Sequence, residues 1–215
     1  KFGTEDGKDD AASALSWLAG NDPDNVVAIA RAGAISPLVE LVKFGTESGK
    51  SNAASVLALL ASDNPDNVVA MARAGAIPPL VELVESGTEY GKANAAFAIS
   101  GLARDSNDNR VEISRAGAIP PLVELVKFGT EDGKADAAFA LANLASDNPD
   151  NVVAIARAGA IPPLVELVKF GTESGKANAA FALSRLASNN ADYVVAITRA
   201  GAIPPLVELA KFGTG

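Results

Sequence analysis

The run FALANLA, Phe139 to Ala145, carries one asparagine among six apolar residues. A primary amide both donates and accepts hydrogen bonds, so it suits a peptide unit. Buried without a partner it would cost roughly 1–3 kcal/mol. Asn143 must therefore meet a ligand, stay in solvent or pair inside the protein. Other side chains that bind rather than react recur at related places in the chain. Phe97, Phe139, Phe181 and Trp17 offer aromatic surface, and Asn94 and Asn178 are further amides. Arg104 and Arg185 can donate to a carboxylate or carbonyl. Asp10 and Asp136 can meet a basic group.

The usual reactive types are missing. The chain has no cysteine and no histidine. That removes disulfides, thiolate nucleophiles, thiolate or imidazole metal sites and the usual near-neutral acid/base. The adjacent carboxylates Asp9 and Asp10 lie in a polar helix start, where nothing is expected to raise a pKa. The glycines recur singly at helix boundaries and form no phosphate loop. No enzyme, cofactor or metal is expected.

Apolar residues make up 48% of the chain and charged ones 20%, so it is not a disordered polymer. The 215 residues allow one or two domains. A net charge of −8 without a long run of one sign argues against nucleic acid, which needs a basic face. No apolar run approaches the ~20 residues of a membrane span, so no membrane insertion is expected. No signal peptide is visible and the chain starts inside a repeat, which reads as a processed chain or a piece of a longer array. The missing cysteines fit an intracellular protein, cytoplasmic or nuclear.

KFGT begins at Lys1, Lys43, Lys127, Lys169 and Lys211, and Glu85–Thr88 is an altered copy, ESGT. RAGAI begins at Arg31, Arg73, Arg115, Arg157 and Arg199. Every interval is a multiple of 42 residues, without insertions. Five units follow, 1–42, 43–84, 85–126, 127–168 and 169–210, then a partial 211–215. A fixed period of this length means a solenoid, a single all-α domain in which each unit stacks on its neighbours.

Unit four shows the helices. KADAAFALANLAS, Lys134–Ser146, is rich in Ala and Leu and free of internal Gly and Pro. Thr130 or Gly133 could start it. Asn148-Pro149 then reads as an N-cap followed by proline at the first helical position. That short helix stops at Gly159. The next begins at Pro162-Pro163, where the first amides need no intrahelical partner.

The copies can be compared with one another, counting positions from each Lys (or Glu85). Positions 11, 14, 15 and 18 of the long helix share one arc, hold Ala, Val, Leu or Ile, and are read as the packing face. Positions 6, 10, 13, 17 and 20 share another arc of about 80°. That arc changes between copies. Position 17 alone is Trp17, Leu59, Gly101, Asn143 and Arg185. Positions that diversify are expected to be free of packing. The recurring lysines and glutamates, such as Lys134 and Glu166, read as solvated edges, and Arg31 to Arg199 as favourable charges at helix C-termini.

A three-helix unit of this length, with AGAIPPLVELV (Ala158–Val168) and FALANLAS (Phe139–Ser146), resembles the armadillo repeat. The likeness covers the whole chain. HEAT repeats are near relatives, but they usually have two helices. The resemblance implies a right-handed superhelix of five repeats whose long third helices line a concave groove for an extended peptide or protein segment. In that family an aromatic residue four positions before an Asn lines the groove, and the Asn binds the ligand's main chain. Phe139 and Asn143 match that pair, in one unit of five, so a groove ligand is expected to be held by side-chain chemistry. Phe97 and Phe181 would be further walls or ordinary packing. Trp17 would be an anchor or a cover for the first helix. Asp6, Asp9, Asp10, Asp132 and Asp136 imply a ligand with basic character. The alternative is a structural or consensus-like assembly component that self-associates through its ends or its convex face, because the last helix still shows Leu206, Val207 and Leu209.

Overall fold

The computed structural model describes residues 4–62, 64–188 and 190–213. The outermost residues of the first and last KFGT copies lie outside these ranges. The helices come in sets of three. The long ones are α1 (Glu5–Asn21), α4 (Glu47–Ser62), α7 (Glu89–Ala103), α10 (Glu131–Ala145) and α13 (Glu173–Ala187). Each is followed by a nine-residue helix: α2 (Pro23–Arg31), α5 (Pro65–Arg73), α8 (Asn107–Arg115), α11 (Pro149–Arg157) and α14 (Ala191–Arg199). Each set closes with α3 (Ile35–Phe44), α6 (Ile77–Ser86), α9 (Ile119–Phe128), α12 (Ile161–Phe170) or α15 (Ile203–Phe212).

Local chemistry sets these limits. The Thr130 hydroxyl accepts from the Gly133 amide at 3.2 Å, and Thr4, Thr88 and Thr172 make the same cap. The long helix therefore starts at Glu131, earlier than Lys134, and Gly133 sits in its first turn. A Cβ there would stand 3.3 Å from Leu125 Cδ1, so glycine suits the close approach of α9. Asn148 caps α11 through the Asn151 amide at 3.0 Å, and Pro149 opens it. Gly159, at φ +81°, then turns the chain through 81° into α12.

Successive long helices pack side by side, each also touching the shorter helix before it. From the second unit on the packing arc is buried as expected: Ala53, Val56, Leu57 and Leu60 are fully covered, as are Ala137, Ala140 and Leu144, whereas Ala11, Ala14 and Leu18 of the first unit are exposed. Covering one Leu stabilises by about 1.5–3 kcal/mol. One apolar cluster runs from Ala12 to Ala202. Four phenylalanines of the KFGT copies, Phe44, Phe128, Phe170 and Phe212, stay outside it and end their helices in solvent. The Lys–Glu pairs, among them Lys134–Glu131 at 2.9 Å, are exposed i,i+3 pairs that add little.

An amide series escaped the sequence reading, which took PDN only as a helix start. Asn67, Asn109 and Asn151 are buried, and their Nδ2 atoms donate to the carbonyls of Leu60, Leu102 and Leu144 at 3.0, 2.9 and 2.9 Å. Asn25 bonds Leu18 in the same way at 3.0 Å. Each bond satisfies a carbonyl at the end of a long helix and ties the next helix to it. Replacing Asn151 by Ala is expected to cost about 1–3 kcal/mol, because the Leu144 carbonyl loses its buried donor. A fall in the urea midpoint with unchanged helical circular dichroism would show it.

Candidate binding surface

Asn143 already has a partner. Its side chain is 5% exposed, and Nδ2 donates to the Ser100 carbonyl in α7 at 3.0 Å. Of the three sequence readings, the buried and internally paired amide is the one observed. The reason lies in the stacking of long helices. Asn94 donates to Ser51 O at 3.2 Å and Asn178 to Ala135 O at 3.0 Å. All three bonds reach back 43 residues. They are one contact used at positions 10 and 17, and its constant offset places neighbouring long helices parallel and in register.

Variation at position 17 therefore does not mark a free surface throughout. Gly101 is buried, and a Cβ there would meet Ala61 Cβ at 2.7 Å. It is glycine because α7 and α4 touch at that point. Trp17, at the other extreme, is 73% exposed beside a half-exposed Leu18, so it does not cover its own helix. Its carbonyl accepts from Asn21 Nδ2. Gly101→Ala is expected to destabilise by about 1–3 kcal/mol through overpacking, read as a lower melting temperature.

The structure brings four of the candidates together. The Phe139 and Phe181 rings lie 6.5 Å apart and tilted by 42°. The Arg185 guanidinium lies over Phe181, 4.8 Å from its centroid, and its Nε is buried without a hydrogen-bond partner. Arg104 lies 5.9 Å from the Phe139 centroid and also donates to the Ser62 carbonyl. Rings and guanidinium groups thus form one strip across α7, α10 and α13, with cation–π contacts holding the cations in place. Phe97 is half-buried and packs on the core. Units one and two have no such strip: Ser55 stands at the phenylalanine position and bonds Ser16 at 2.9 Å.

The acidic candidates separate. Asp6, Asp10 and Asp132 are exposed. Asp9 instead accepts from the Thr46 hydroxyl, and its Oδ1 is buried against the start of α4. It belongs to the joint between units one and two, so the sequence placed it wrongly with the ligand-facing acids. Asp136 is half-buried at position 10, where Asn94 and Asn178 donate to a carbonyl of the preceding long helix. A carboxylate cannot donate there. Burial, and then the charge of Asp132, push the Asp136 carboxyl up to about 7.

The sign of the pH effect follows. A carboxyl whose folded pKa exceeds its unfolded value favours folding when protonated. That contribution is complete below about pH 4 and is lost as pH rises to about 7. Asp136→Asn keeps a donor at every pH. It is expected to be more stable than the parent by about 1 kcal/mol at pH 8, and by less at pH 5. Urea midpoints of both proteins at the two pH values check this.

Comparison with known proteins gives the setting of this strip. The description "Armadillo/beta-catenin-like repeat" matches residues 22–62, 64–104, 106–146 and 148–188. Its repeats start every 42 residues, in a frame that begins with the short helix. No curated protein matches the chain. Among solved structures, a designed armadillo repeat protein is 32% identical with a TM-score of 0.83, covering 95% of this chain and 86% of that one. Another, described as in complex with the peptide (KR)4, is 32% identical with a TM-score of 0.79, covering 95% and 85%. An armadillo-repeats-only protein of Plasmodium falciparum is 22% identical with a TM-score of 0.70, covering 83% and 79%, and is alike in fold.

Proposed function

The chain belongs to the armadillo/beta-catenin-like repeat family, and from that premise we propose that it is a non-enzymatic scaffold that holds an extended peptide or protein segment along its long helices. The observation that carries this reading is the strip of Phe139, Phe181, Arg185 and Arg104. Aromatic and arginine side chains are the types enriched at protein interfaces. Packed helices lie roughly 8–10 Å apart, so five units offer roughly 40–50 Å. At ~3.3 Å per residue that accommodates roughly 12–15 residues of extended chain. Asp6, Asp10, Asp132 and Asp136 and the net charge of −8 favour basic residues in the ligand. The designed relative in complex with (KR)4 supports the same class of partner.

A second reading is self-association through the ends, and one observation favours it. Ile203 and Val207 of α15 are 55% and 44% exposed, whereas their counterparts Ile161 and Val165 are 7% and 1% exposed. Light scattering after size exclusion separates the two readings: a concentration-dependent mass supports end-to-end contact.

The scaffold reading is tested with a fluorescein-labelled (Lys-Arg)4 peptide in an anisotropy titration. Phe139→Ala and Phe181→Ala are each expected to weaken binding about tenfold, or ~1.4 kcal/mol. Unchanged affinity in both, with the fold intact, would place the ligand elsewhere.

A further inference from the structure

We infer that the segment accepted by this surface carries basic side chains on one side of its extended backbone and acidic side chains on the other. The inference rests on the scaffold reading and adds the chemistry of the ligand. Neighbouring long helices run parallel and in register, as the 43-residue offset of the Asn94, Asn143 and Asn178 bonds requires. All long-helix starts therefore lie along one edge of the surface and all ends along the other.

On the arc of positions 6, 10, 13, 17 and 20, charge is sorted between these edges in units three to five, while Lys92, Lys134 and Lys176 near the helix starts lie off that arc. Asp132 and Asp136 lie in the first half of α10. Arg185 lies in the last turn of α13, and Arg104 is the C-cap of α7. Phe139 and Phe181 form the floor between the edges. The Arg185 guanidinium is fixed over Phe181, with its buried Nε lacking a partner. A purely basic segment would set cations against Arg185, and a purely acidic one would set carboxylates against Asp132 and Asp136. Either mismatch is unfavourable once water is excluded.

An extended chain that crosses the helices sends successive side chains to opposite sides. Groups facing the same edge are then an even number of residues apart, and groups facing opposite edges an odd number. Arg104 and Arg185 are two units apart, but both lean over the rings between them, which keeps their guanidinium carbons within about 17 Å of each other. At ~3.3 Å per residue the longest even spacing within that distance is about four. The ligand pattern is thus two acidic residues at such a spacing, with a basic residue at an odd offset between them. It reads the same in both chain directions.

The test uses three labelled octapeptides at pH 8, above the range in which Asp136 keeps its proton. (Glu-Lys)4 puts all its acids on one side. (Glu)4(Lys)4 has the same composition and charge but mixes both signs on each side and holds no two acids four residues apart. (Lys-Arg)4 is purely basic. (Glu-Lys)4 is expected to bind at least tenfold more tightly than (Glu)4(Lys)4, and Arg185→Glu is expected to cut that preference below threefold. Arg185→Gln gives the same readout if the charge reversal impairs folding. Equal binding of the two mixed peptides overturns the inference. Binding of (Lys-Arg)4 alone overturns it and leaves the scaffold reading standing. Binding of none overturns both.

Discussion

No unit of this chain can cover its own apolar stripe. A three-helix unit leaves the Ala, Val and Leu of its long helix facing outward, and only the preceding unit closes over them. Ala53, Val56, Leu57 and Leu60 reach full burial because α1 and α3 lie against α4, whereas Ala11, Ala14 and Leu18 of the first unit stay exposed. Everything else follows from this. The period cannot drift, because an insertion would rotate the stripe away from its partner. The small residues cannot grow, because the helices already touch at Ala61 and Gly101.

Hydrogen bonds give the stack its register, where apolar contact alone would allow sliding. Two amide series divide the work. Asn67, Asn109 and Asn151 tie each long helix to the short helix that follows it. Asn94, Asn143 and Asn178 tie it to the long helix one unit earlier. Both series end on main-chain carbonyls, so they do not depend on the residue type at the acceptor. That tolerance lets neighbouring positions vary without loss of stacking. Asp136 marks the limit of the tolerance, because a carboxylate in an amide's place needs a proton to fit.

The binding surface is what stacking leaves uncovered, and it is unevenly furnished. Units three to five carry rings and guanidinium groups in contact, whereas units one and two carry serines and a distant Trp17. The arginines are held over the rings they accompany, so little side-chain freedom is lost when a ligand arrives. Binding strength should therefore concentrate in the second half of the chain.

The 42-residue period, the three helices of each unit, their caps at Thr130 and Asn148 and the buried face at positions 11, 14, 15 and 18 were legible in the sequence. Each depends on residues close together in the chain or repeated at a fixed interval. The fate of the variable arc was not legible. Gly101, Asn143 and Arg185 share one position and one helical angle, yet the first is crushed against Ala61, the second bonds Ser100, and the third lies over Phe181. A helical wheel shows which way a side chain points. How near the next helix comes at that level is decided by stacking, and only the tertiary structure holds that distance.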